Sequence, residues 1–487
     1  MNTKLLRQKI LDLAIRGKLT DQRKSDGTAA DLLKDIAEAK PKKNGVILNG
    51  ARSAKSKDPK QIIPLDKSEA PFEIPDNWEW VKLGDLCNAS SGKTPSTSQK
   101  EFWNGNVLWV TSKDVKQKYI DSTQICLSDL GASSMQLYPP KTMIIVGRSG
   151  ILRHSLPVAI LKKGATINQD LKALVFKDDR VVEFVYSVIK GMEQHLLHEY
   201  KKAGTTVDNL NFDLFLTAPI PLPPLAEQQR IVAKIEEAFA EIDAVEKNKD
   251  LLKTHIKQTR QKILDLAIHG KLVPQDENDE PASVLLEKIL QEKAQSDSKK
   301  SLKKKKTDDI STSDKRPYEK ITAENEPFEI PSSWKWVKYA KIINCLSVKE
   351  YQIKSSKILP TGKYPVVSQG QNFIDGYTDD AKKVVRLKEP IVLFGDHTRI
   401  VKYIDFEFVV GADGTKILSP KSVIFPKYLY FTTQGIVNKM EDRGYGRHFA
   451  LLANSLVSLP PLTEQKRIVD KIEQLFKSLD EISLHLV

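Results

Sequence analysis

Thirteen residues near the start of the chain are repeated in its middle with one letter changed. RQKILDLAIRGKL occupies 7–19, and RQKILDLAIHGKL occupies 260–272. Two further pairs recur in the same order: PFEIPDNWEWVK (71–82) with PFEIPSSWKWVK (327–338), and LPPLAEQQRIVAKIEEAF (222–239) with LPPLTEQKRIVDKIEQLF (459–476). Because self-similarity at a long period marks a repeated structural unit, the sequence predicts two units of one architecture.

The residues after the first LPPL follow heptad spacing, which predicts one helix over 225–268, about 65 Å long at 1.5 Å per residue. The C-terminal segment repeats the first half of this helix, and the N-terminal segment repeats its second half. Together the two chain ends therefore contain one further copy of the helix sequence. We therefore expect a circular two-unit repeat whose terminal segments lie antiparallel against 225–268 about a pseudo-twofold axis. The alternative is two unrelated amphipathic helices, each packed on its own domain. The predicted seam residues are Leu6, Ile10, Leu13, Ile231, Ile235, Ile242, Val245, Leu252, Ile256, Ile263, Leu266, Ile468, Ile472, Leu475, Leu479 and Ile482.

The repeats divide the chain into helical, linker and globular parts. The predicted order is an N-terminal helical region (1–39), a basic linker (40–70), a first globular domain (71–221), a central helical region (222–290), a Lys-rich linker (291–326), a second globular domain (327–458) and a C-terminal helix (459–487). Short β-rich runs such as 143–150 and 391–396, and helical spacing over 181–200, predict mixed α/β domains. The fold class is therefore mixed α+β, with two globular domains separated by long antiparallel coiled-coil helices.

The net charge of +13 permits a nucleic-acid partner without proving one. About half of it lies in the two linkers, where Lys-rich and Pro- or Ser-bearing stretches are typical of solvated segments. No run approaches 18 apolar residues and no signal peptide is evident, so a membrane partner is not expected. Three cysteines without CxxC spacing predict neither a disulfide nor a zinc framework, and a reducing cytoplasm is the expected location.

Motifs for catalysis were sought and not found. SGKT at 91–94 lacks the first glycine of a phosphate loop, since Cys87 stands there. His195 and His198, with Glu199 beside the second, have no further metal ligand nearby and are interpreted as a solvated helix face. We therefore expect no catalytic residue, no metal and no cofactor in this chain. Four tryptophans of the PxxWxW segments, Trp78, Trp80, Trp334 and Trp336, are expected to anchor the domain cores.

Polar side chains in glycine-rich loops are the candidates for contacting DNA bases and phosphates, although each is also compatible with an ordinary turn. In the first domain these are Lys93, Thr94, Ser96, Thr97, Arg148, Ser149, Asn168, Gln169, Thr205 and Thr206. In the second domain they are Gln369, Gln371, Asn372, His397, Thr398, Arg399, Arg443, Tyr445, Arg447 and His448.

With these segments in view, the chain resembles a specificity (S) subunit of a type I restriction–modification system. The resemblance rests on GKTPSTSQKEFWNGNVLWVTSKDV, ATINQDLKAL, YPVVSQGQNFIDGYT, VLFGDHTRIVKYIDFEFVVGADGTKIL, GYGRHF and the two LPPLxEQxRIVxKIE helices. It covers nearly the whole chain except the linkers, which are longer and more basic than the repeated segments require.

The resemblance implies two target recognition domains, each reading one half of a bipartite double-stranded DNA sequence. It also implies docking of two methyltransferase (M) subunits, which use S-adenosylmethionine, and of restriction (R) subunits, which use ATP and Mg. Two other interpretations remain open: a single-chain DNA modification enzyme, and a coiled-coil scaffold without DNA contact.

Overall fold

The computed structural model of the chain describes residues 2–38, 62–66, 70–300, 326–411, 413–441, 444 and 446–486. The chain forms two compact units, Met1–Lys247 and Asn248–Val487. Within the described residues, no helix has the length and apolar character needed to cross a membrane. The prediction of two units is confirmed.

The first unit contains helices at its two ends and a mixed domain between them. Its helices are α1 (Thr3–Ile15), α2 (Ala29–Glu38), α3 (Leu83–Leu86), α4 (Asp129–Ser133), α5 (Val182–Gly191), α6 (Glu193–Tyr200), α7 (Phe212–Phe215) and the beginning of α8 (Leu225–Ile268). Its strands are β1 (Glu79–Lys82), β2 (Cys87–Ser91), β3 (Trp103–Val110), β4 (Tyr119–Ile120), β5 (Cys126–Leu127), β6 (Met143–Val146), β7 (Arg148–Ser149), β8 (Val158–Leu161), β9 (Ala165–Ile167), β10 (Leu171–Phe176), β11 (Lys201–Lys202), β12 (Asp208–Leu210) and β13 (Pro219–Leu222).

A five-stranded sheet of order β2-β10-β6-β8-β4 forms the centre of the first domain. Strand β6 is buried along its whole length, and its side chains alternate between two cores as a period of two requires. Met143 and Ile145 join the core that contains α1 and α5, whereas Ile144 and Val146 face the core shared with the sheet β5-β3-β9. The domain is therefore three layers thick.

The second unit repeats this plan. Its helices after α8 are α9 (Ala282–Lys300), α10 (Tyr339–Ile342), α11 (Pro426–Lys439), α12 (Phe449–Asn454) and α13 (Leu462–Leu484). Its strands are β14 (Lys335–Lys338), β15 (Ile343–Leu346), β16 (Tyr364–Val367), β17 (Gly376–Thr378), β18 (Val384–Val385), β19 (Ile391–Gly395), β20 (Val401–Ile404), β21 (Phe408–Val410), β22 (Thr415–Pro420) and β23 (Leu456–Leu459). The sheet β15-β22-β19-β20 packs against β17-β16-β21-β18 on one face and against helices on the other.

The two domains share strand positions as well as layers. In both, the second sheet contains a parallel pair, β3 with β9 and β16 with β21. The ladders among the four central strands that the domains share are antiparallel, whereas the edge strand β4 of the first domain pairs with β8 in parallel. In the central sheets, the order β2-β10-β6-β8 matches β15-β22-β19-β20 strand for strand. The two stretches therefore share the topology of these strands although they share little sequence.

In each unit, the chain carrying the GKL repeat runs antiparallel to the helix that follows LPPL. In the first unit, Arg7 bonds Asp243 at 2.6 Å near the start of α1, and Arg230 bonds Asp26 at 2.6 Å further along. In the second, Arg260 bonds Asp480 and Arg467 bonds Asp279 in the same order. The antiparallel pairing predicted for each half of α8 is confirmed within each unit.

Gly17 and Gly270 end the repeated helices in the same way. Both have φ = +68°, and the N–H groups of Gly17 and Lys18 bond the carbonyls of Ala14 and Leu13, a helix end that favours glycine. A Cβ on Gly17 would lie 2.4 Å from Pro75, and one on Gly270 would lie 2.5 Å from Pro331. These glycines are therefore required by both backbone conformation and space.

The predicted seam is buried only in part. Ile231, Ile235, Ile242, Ile256, Ile263, Ile468 and Ile472 are buried, and Ile10, Leu13, Leu266, Leu475 and Leu479 are half-buried. Leu6, Val245, Leu252 and Ile482 are 38–47% exposed, so the predicted burial is wrong there within each unit. All four lie near the middle of α8 or near a chain terminus. The most buried face of α1 is instead Leu11, Ala14 and Ile15, which packs against α5 because Gly191 lets the two helices approach closely.

The predicted linkers lie mostly outside the described residues, with two differences at their edges. Helix α9 continues to Lys300, ten residues into the segment 291–326. In the segment 40–70, Ile62 is buried in the first core, and the N–H of Leu65 bonds the carbonyl of Trp80 at 2.7 Å. The predicted helix over 181–200 is divided into α5 and α6 at Met192.

Candidate nucleic-acid interface

A buried carboxylate joins each domain to the helix that follows it. Glu227 of α8 is fully buried; its Oε2 accepts from Trp78 Nε1 at 3.0 Å and its Oε1 from Gln22 Nε2 at 2.6 Å. Burial raises the pKa of Glu227, while the bonds from Trp78 and Gln22 oppose that rise. Trp78 belongs to the segment that opens the domain, so this carboxylate fixes the domain to the helices.

The same anchor is present in the second unit. Glu464 of α13 accepts from Trp334 Nε1 at 2.8 Å and from Gln275 Nε2 at 2.6 Å, and burial raises its pKa too. Phe72 meets Trp80 at 4.9 Å, edge to face, and Phe328 meets Trp336 at 4.8 Å. All four predicted anchor tryptophans are at least nine-tenths buried, as expected.

Four loops of the first domain meet beyond the end of β6. The N–H of Lys93 bonds the carbonyl of Ile167 at 3.1 Å, and Thr94 Oγ1 bonds Gln169 Oε1. The N–H of Arg148 bonds the carbonyl of Asp170 at 3.1 Å, and Arg148 pairs with Asn209 in the adjoining strands β7 and β12. The structure therefore brings together the segments 92–99, 147–150, 168–170 and 205–209.

Most predicted residues of this cluster face solvent. Lys93, Thr94, Ser96, Thr97, Arg148, Gln169, Thr205 and Thr206 are exposed. Ser149 is half-buried, and its Oγ accepts from the N–H of Ile151. Asn168 is only 8% exposed, and its Oδ1 has no partner. Asn168 is thus placed under the loops rather than on their surface, and its predicted direct contact with DNA does not fit this position.

The loops of the second domain meet at the equivalent place, beyond β19. Gln369 Oε1 accepts from the N–H of His397 at 3.1 Å, and Gln369 Nε2 donates to the carbonyl of Asp413 at 2.6 Å. Thr398 Oγ1 donates to the carbonyl of Gln369 at 2.6 Å. The segments 368–375, 395–400 and 413–414 therefore form one surface, on which Gln371, Asn372 and Thr398 are exposed.

Two predicted contacts of the second domain bond other parts of the same domain. His448 is fully buried, and its N–H and Nδ1 both lie 2.9 Å from the carbonyl of Asp396, so its predicted contact with DNA does not fit this position. Arg399 is half-buried with φ = +60°, and its Nη1 donates to the carbonyl of Met440 at 3.0 Å. Arg447 is exposed, whereas Arg443 and Tyr445 lie outside the described residues.

The structure adds a loop and a side chain that the sequence analysis missed. Loop 111–118 follows β3 as loop 368–375 follows β16, and both begin with a hydroxyl bonded to an aspartate: Thr111 to Asp114 and Ser368 to Asp375. Lys402 Nζ reaches the second of these loops. A hydroxyl followed three residues later by Asp, as in TSKD, is a turn signal that could have identified loop 111–118.

Among the described residues, no group of three His, Cys, Asp or Glu side chains is arranged to hold a metal ion. His198 and Glu199 contact each other at 2.8 Å on an exposed helix surface. Burial raises the pKa of Cys87 to about 12, while Cys126 and Cys345 are half-buried. The polar loop surfaces are therefore the most distinctive candidate site of each domain.

Comparison with known proteins assigns these domains. The family described as type I restriction modification DNA specificity domain matches residues 75–254 and 331–485. The type I restriction enzyme EcoAI specificity subunit of Escherichia coli is 26% identical, over 98% of this chain and 90% of that protein. The EcoEI specificity subunit of Escherichia coli is 23% identical, over 99% and 90%.

The fold has a counterpart among solved structures. A chain from a study of complex assembly and conformational transition of the type I R–M system superposes with a TM-score of 0.54 at 18% identity, over 85% of this chain and 94% of that one. Each of the two family matches covers one domain and at least the first part of the helix that follows it, and together they cover more than half of the sequence. The chain therefore belongs to the type I restriction–modification DNA specificity family.

Proposed function

We propose that this chain is the non-catalytic DNA-reading subunit of a type I restriction–modification complex. Its first and second domains each read one half of a bipartite, asymmetric target in double-stranded DNA. The helices around them dock two methyltransferase subunits, and restriction subunits complete the nuclease. The complex acts in the cytoplasm, where it meets foreign DNA.

The observation that supports this proposal is that the two units have the same scaffold but expose different loop surfaces. The anchors at Glu227 and Glu464 match contact for contact. The loops beyond β6 expose Lys93, Thr94 and Arg148, whereas those beyond β19 expose a different set of amides and hydroxyls. Hydrogen-bonding side chains of this kind read base edges and position phosphates. Two different surfaces on one scaffold favour an asymmetric, two-part target.

In this proposal the chemistry belongs to the partners. S-adenosylmethionine binds the methyltransferase subunits, and ATP with Mg²⁺ binds the restriction subunits. This chain contributes selection of the target and a surface for assembly. The support is the sequence, in which no nucleotide, metal or nucleophile motif was found, together with the relatives, which are named specificity subunits.

The test is an exchange of the first domain. Residues 71–221 are replaced by the corresponding stretch of another member of the family, and the hybrid is expressed with its methyltransferase subunits. Sequencing of methylated DNA should show one half of the target changed and the other half retained. A hybrid that folds, assembles and marks the original target would contradict the assignment of one half-site to each domain.

Two further measurements separate the alternatives. Methylation or cleavage by the purified chain without partner subunits would favour a single-chain enzyme. DNA binding, measured with and without the methyltransferase subunits over a salt series, should weaken steeply as salt increases, because phosphate contacts release counterions. A chain that never binds DNA in either state would instead be a scaffold.

A further inference from the structure

A lysine is buried between the two sheets of the second domain. Lys402 lies on β20 and is only 4% exposed. Its Nζ donates to the carbonyl of Ser368 at 2.8 Å and also to the carbonyl of Asn372, with the carbonyl of Phe373 at 3.5 Å. All three acceptors belong to the segment 368–373, which we call the Lys402 loop. One ammonium group therefore gathers both ends of this loop.

Packing does not require a lysine at this position. Strand pairing aligns Lys402 with Leu393 of β19, and it aligns Ala159 of β8 with Ile144 of β6 in the first domain. Ala159 is thus the counterpart of Lys402, and it is fully buried in an apolar core. Burial lowers the pKa of Lys402, while the charge of Asp375 opposes that decrease. Because burying an ammonium is unfavourable, the second domain keeps a costly side chain where the first has a methyl group.

The Lys402 loop turns its carbonyls toward the lysine and its side chains toward solvent. The carbonyls of Asn372 and Phe373 point to Lys402 Nζ, while the side chains of Gln371, Asn372 and Phe373 are exposed. Phe373 is 50% exposed, although it is a large apolar residue. Amide side chains pair with base edges, and an exposed phenyl ring can contact a thymine methyl or enter a base step.

The corresponding loop of the first domain is held differently. Asp114 there accepts from the N–H of Thr111 at 2.8 Å, from Thr111 Oγ1 at 2.7 Å and from the N–H of Gln124 at 3.0 Å. A local turn thus stabilises loop 111–118, and its sheet contributes only Ala159 at the position of Lys402. The second domain has the analogous Ser368–Asp375 bond and the lysine in addition. The lysine is therefore specific to the second loop surface.

We propose that Lys402 is the positioning residue of the second recognition surface: its ammonium holds the segment 368–373 so that Gln371, Asn372 and Phe373 face the second DNA half-site. This inference rests on the proposed function. Lys402 itself does not touch DNA, and it acts through the conformation of the loop.

The test compares Lys402→Met with a matched control, Lys383→Met. Methionine keeps the length of the side chain and removes the ammonium. Lys383 lies in the same domain, and its Nζ donates to the carbonyl of Glu350 at 2.9 Å, outside the Lys402 loop. Each full-length variant is assembled with the methyltransferase subunits and offered a random double-stranded DNA library, and the bound DNA is sequenced.

Lys402→Met should lose at least about tenfold of the preference for the second half-site, which is about 1.4 kcal/mol. It should remain folded and keep the preference for the first half-site, because the first domain makes no bond to Lys402. Lys383→Met should behave as the wild type. A folded Lys402→Met complex with unchanged second half-site preference would overturn the inference, as would an equal loss at both half-sites. A wild-type complex without preference at either half-site would instead refute the proposed function.

Discussion

The two domains of this chain join the helices through the same contacts and present different loops. Trp78–Glu227 and Trp334–Glu464 differ by 0.2 Å, at 3.0 and 2.8 Å, whereas Ala159 in one sheet is replaced by Lys402 in the other. The comparison separates two kinds of constraint within one sequence. The two units have the same residues where a side chain joins a domain to a helix, and they have different residues in the loops that face solvent.

The largest effect is expected when the second unit is removed from the chain. Residues 1–250 contain one GKL segment, the first domain and the first part of α8, and they include the whole of the first compact unit, Met1–Lys247. Val245 near the cut is already 47% exposed in the full chain, and a second copy of the fragment that covered such apolar surface would gain about 25 cal/mol per Å². We expect two copies of this fragment to dimerise with C2 symmetry. With the methyltransferase subunits, they should methylate a palindromic, interrupted site made from the first half-site and its inverted copy.

Sedimentation of the fragment and sequencing of its methylated product measure this. The full-length chain is the control, because it should mark an asymmetric site. A stable folded monomer, or a dimer that still marks the asymmetric site, would refute the circular-repeat interpretation.

The second prediction concerns the anchors. Glu227→Ala leaves the buried N–H of Trp78 without an acceptor, which should cost about 1–3 kcal/mol of folding free energy. Glu464→Ala should cost a similar amount, because Trp334 and Gln275 make the same bonds. Differential scanning calorimetry of each variant tests this. Losses that differ by more than a factor of about two between the anchors would show that the two junctions are not energetically equivalent.

These anchors should also depend on pH in the same direction. Burial raises the pKa of Glu227 and of Glu464, so the folded state holds their protons more tightly than the unfolded chain does. The stabilisation that these two glutamates give to the folded state is therefore fully present below the ordinary glutamate pKa. It is lost as the pH rises through their raised pKa in the folded state. The cost of each Ala substitution should increase as the pH is lowered across that window, as measured by denaturant unfolding at several pH values.

The third prediction assigns one arginine to each loop surface. Arg148→Ala should weaken recognition of the first half-site only, and Arg447→Ala that of the second only, each by about 1–3 kcal/mol if the guanidinium pairs with a base. Both side chains are exposed. Competition with DNAs altered in one half-site at a time measures the loss. Arg399→Ala is less informative, because the bond of Arg399 to the carbonyl of Met440 would be lost as well.

The smallest effect is expected at the one residue that differs between the 13-residue segments 7–19 and 260–272. Arg16 lies over the ring of Phe72 at 4.4 Å, and His269 stacks on the ring of Phe328 at 3.7 Å. Exchanging the two, as Arg16→His with His269→Arg, should change stability by less than about 1 kcal/mol, since a cation over a ring contributes about 0.5–1 kcal/mol at exposed sites. Thermal unfolding of the double variant measures this. A larger loss would mean that the two repeated segments are not interchangeable.

The sequence predicted those parts of the molecule in which the spacing of residues along the chain determines which face packs against a neighbour. The long helix, the tryptophan anchors and the antiparallel partners of α8 were all visible as repeated letters, because helix periodicity relates position directly to a face. The loop clusters of both domains were also predicted in outline, since Gly92, Gly147 and Gly395 mark turns next to the candidate residues.

The remaining features depend on contacts that spacing does not encode. Lys402 reads as an ordinary strand residue until the register of β20 places it between two sheets. His448 lies in a glycine-rich segment that looks exposed, but it is buried beneath Asp396. Leu6 is exposed because the buried face of α1 turns toward α5. Each of these depends on tertiary packing, which overrides the local pattern.

The glycines that end the two repeated helices have a consequence for how such a gene can change over generations. Gly17 and Gly270 have positive φ and no space for a Cβ beside Pro75 and Pro331. A missense mutation at either codon must therefore distort a helix end and displace the proline beside it. Selection should remove such alleles in both copies independently. The identical glycines at these two sites are then maintained because both helix ends have the same geometry. Their identity therefore cannot be used to date the duplication that produced the two units.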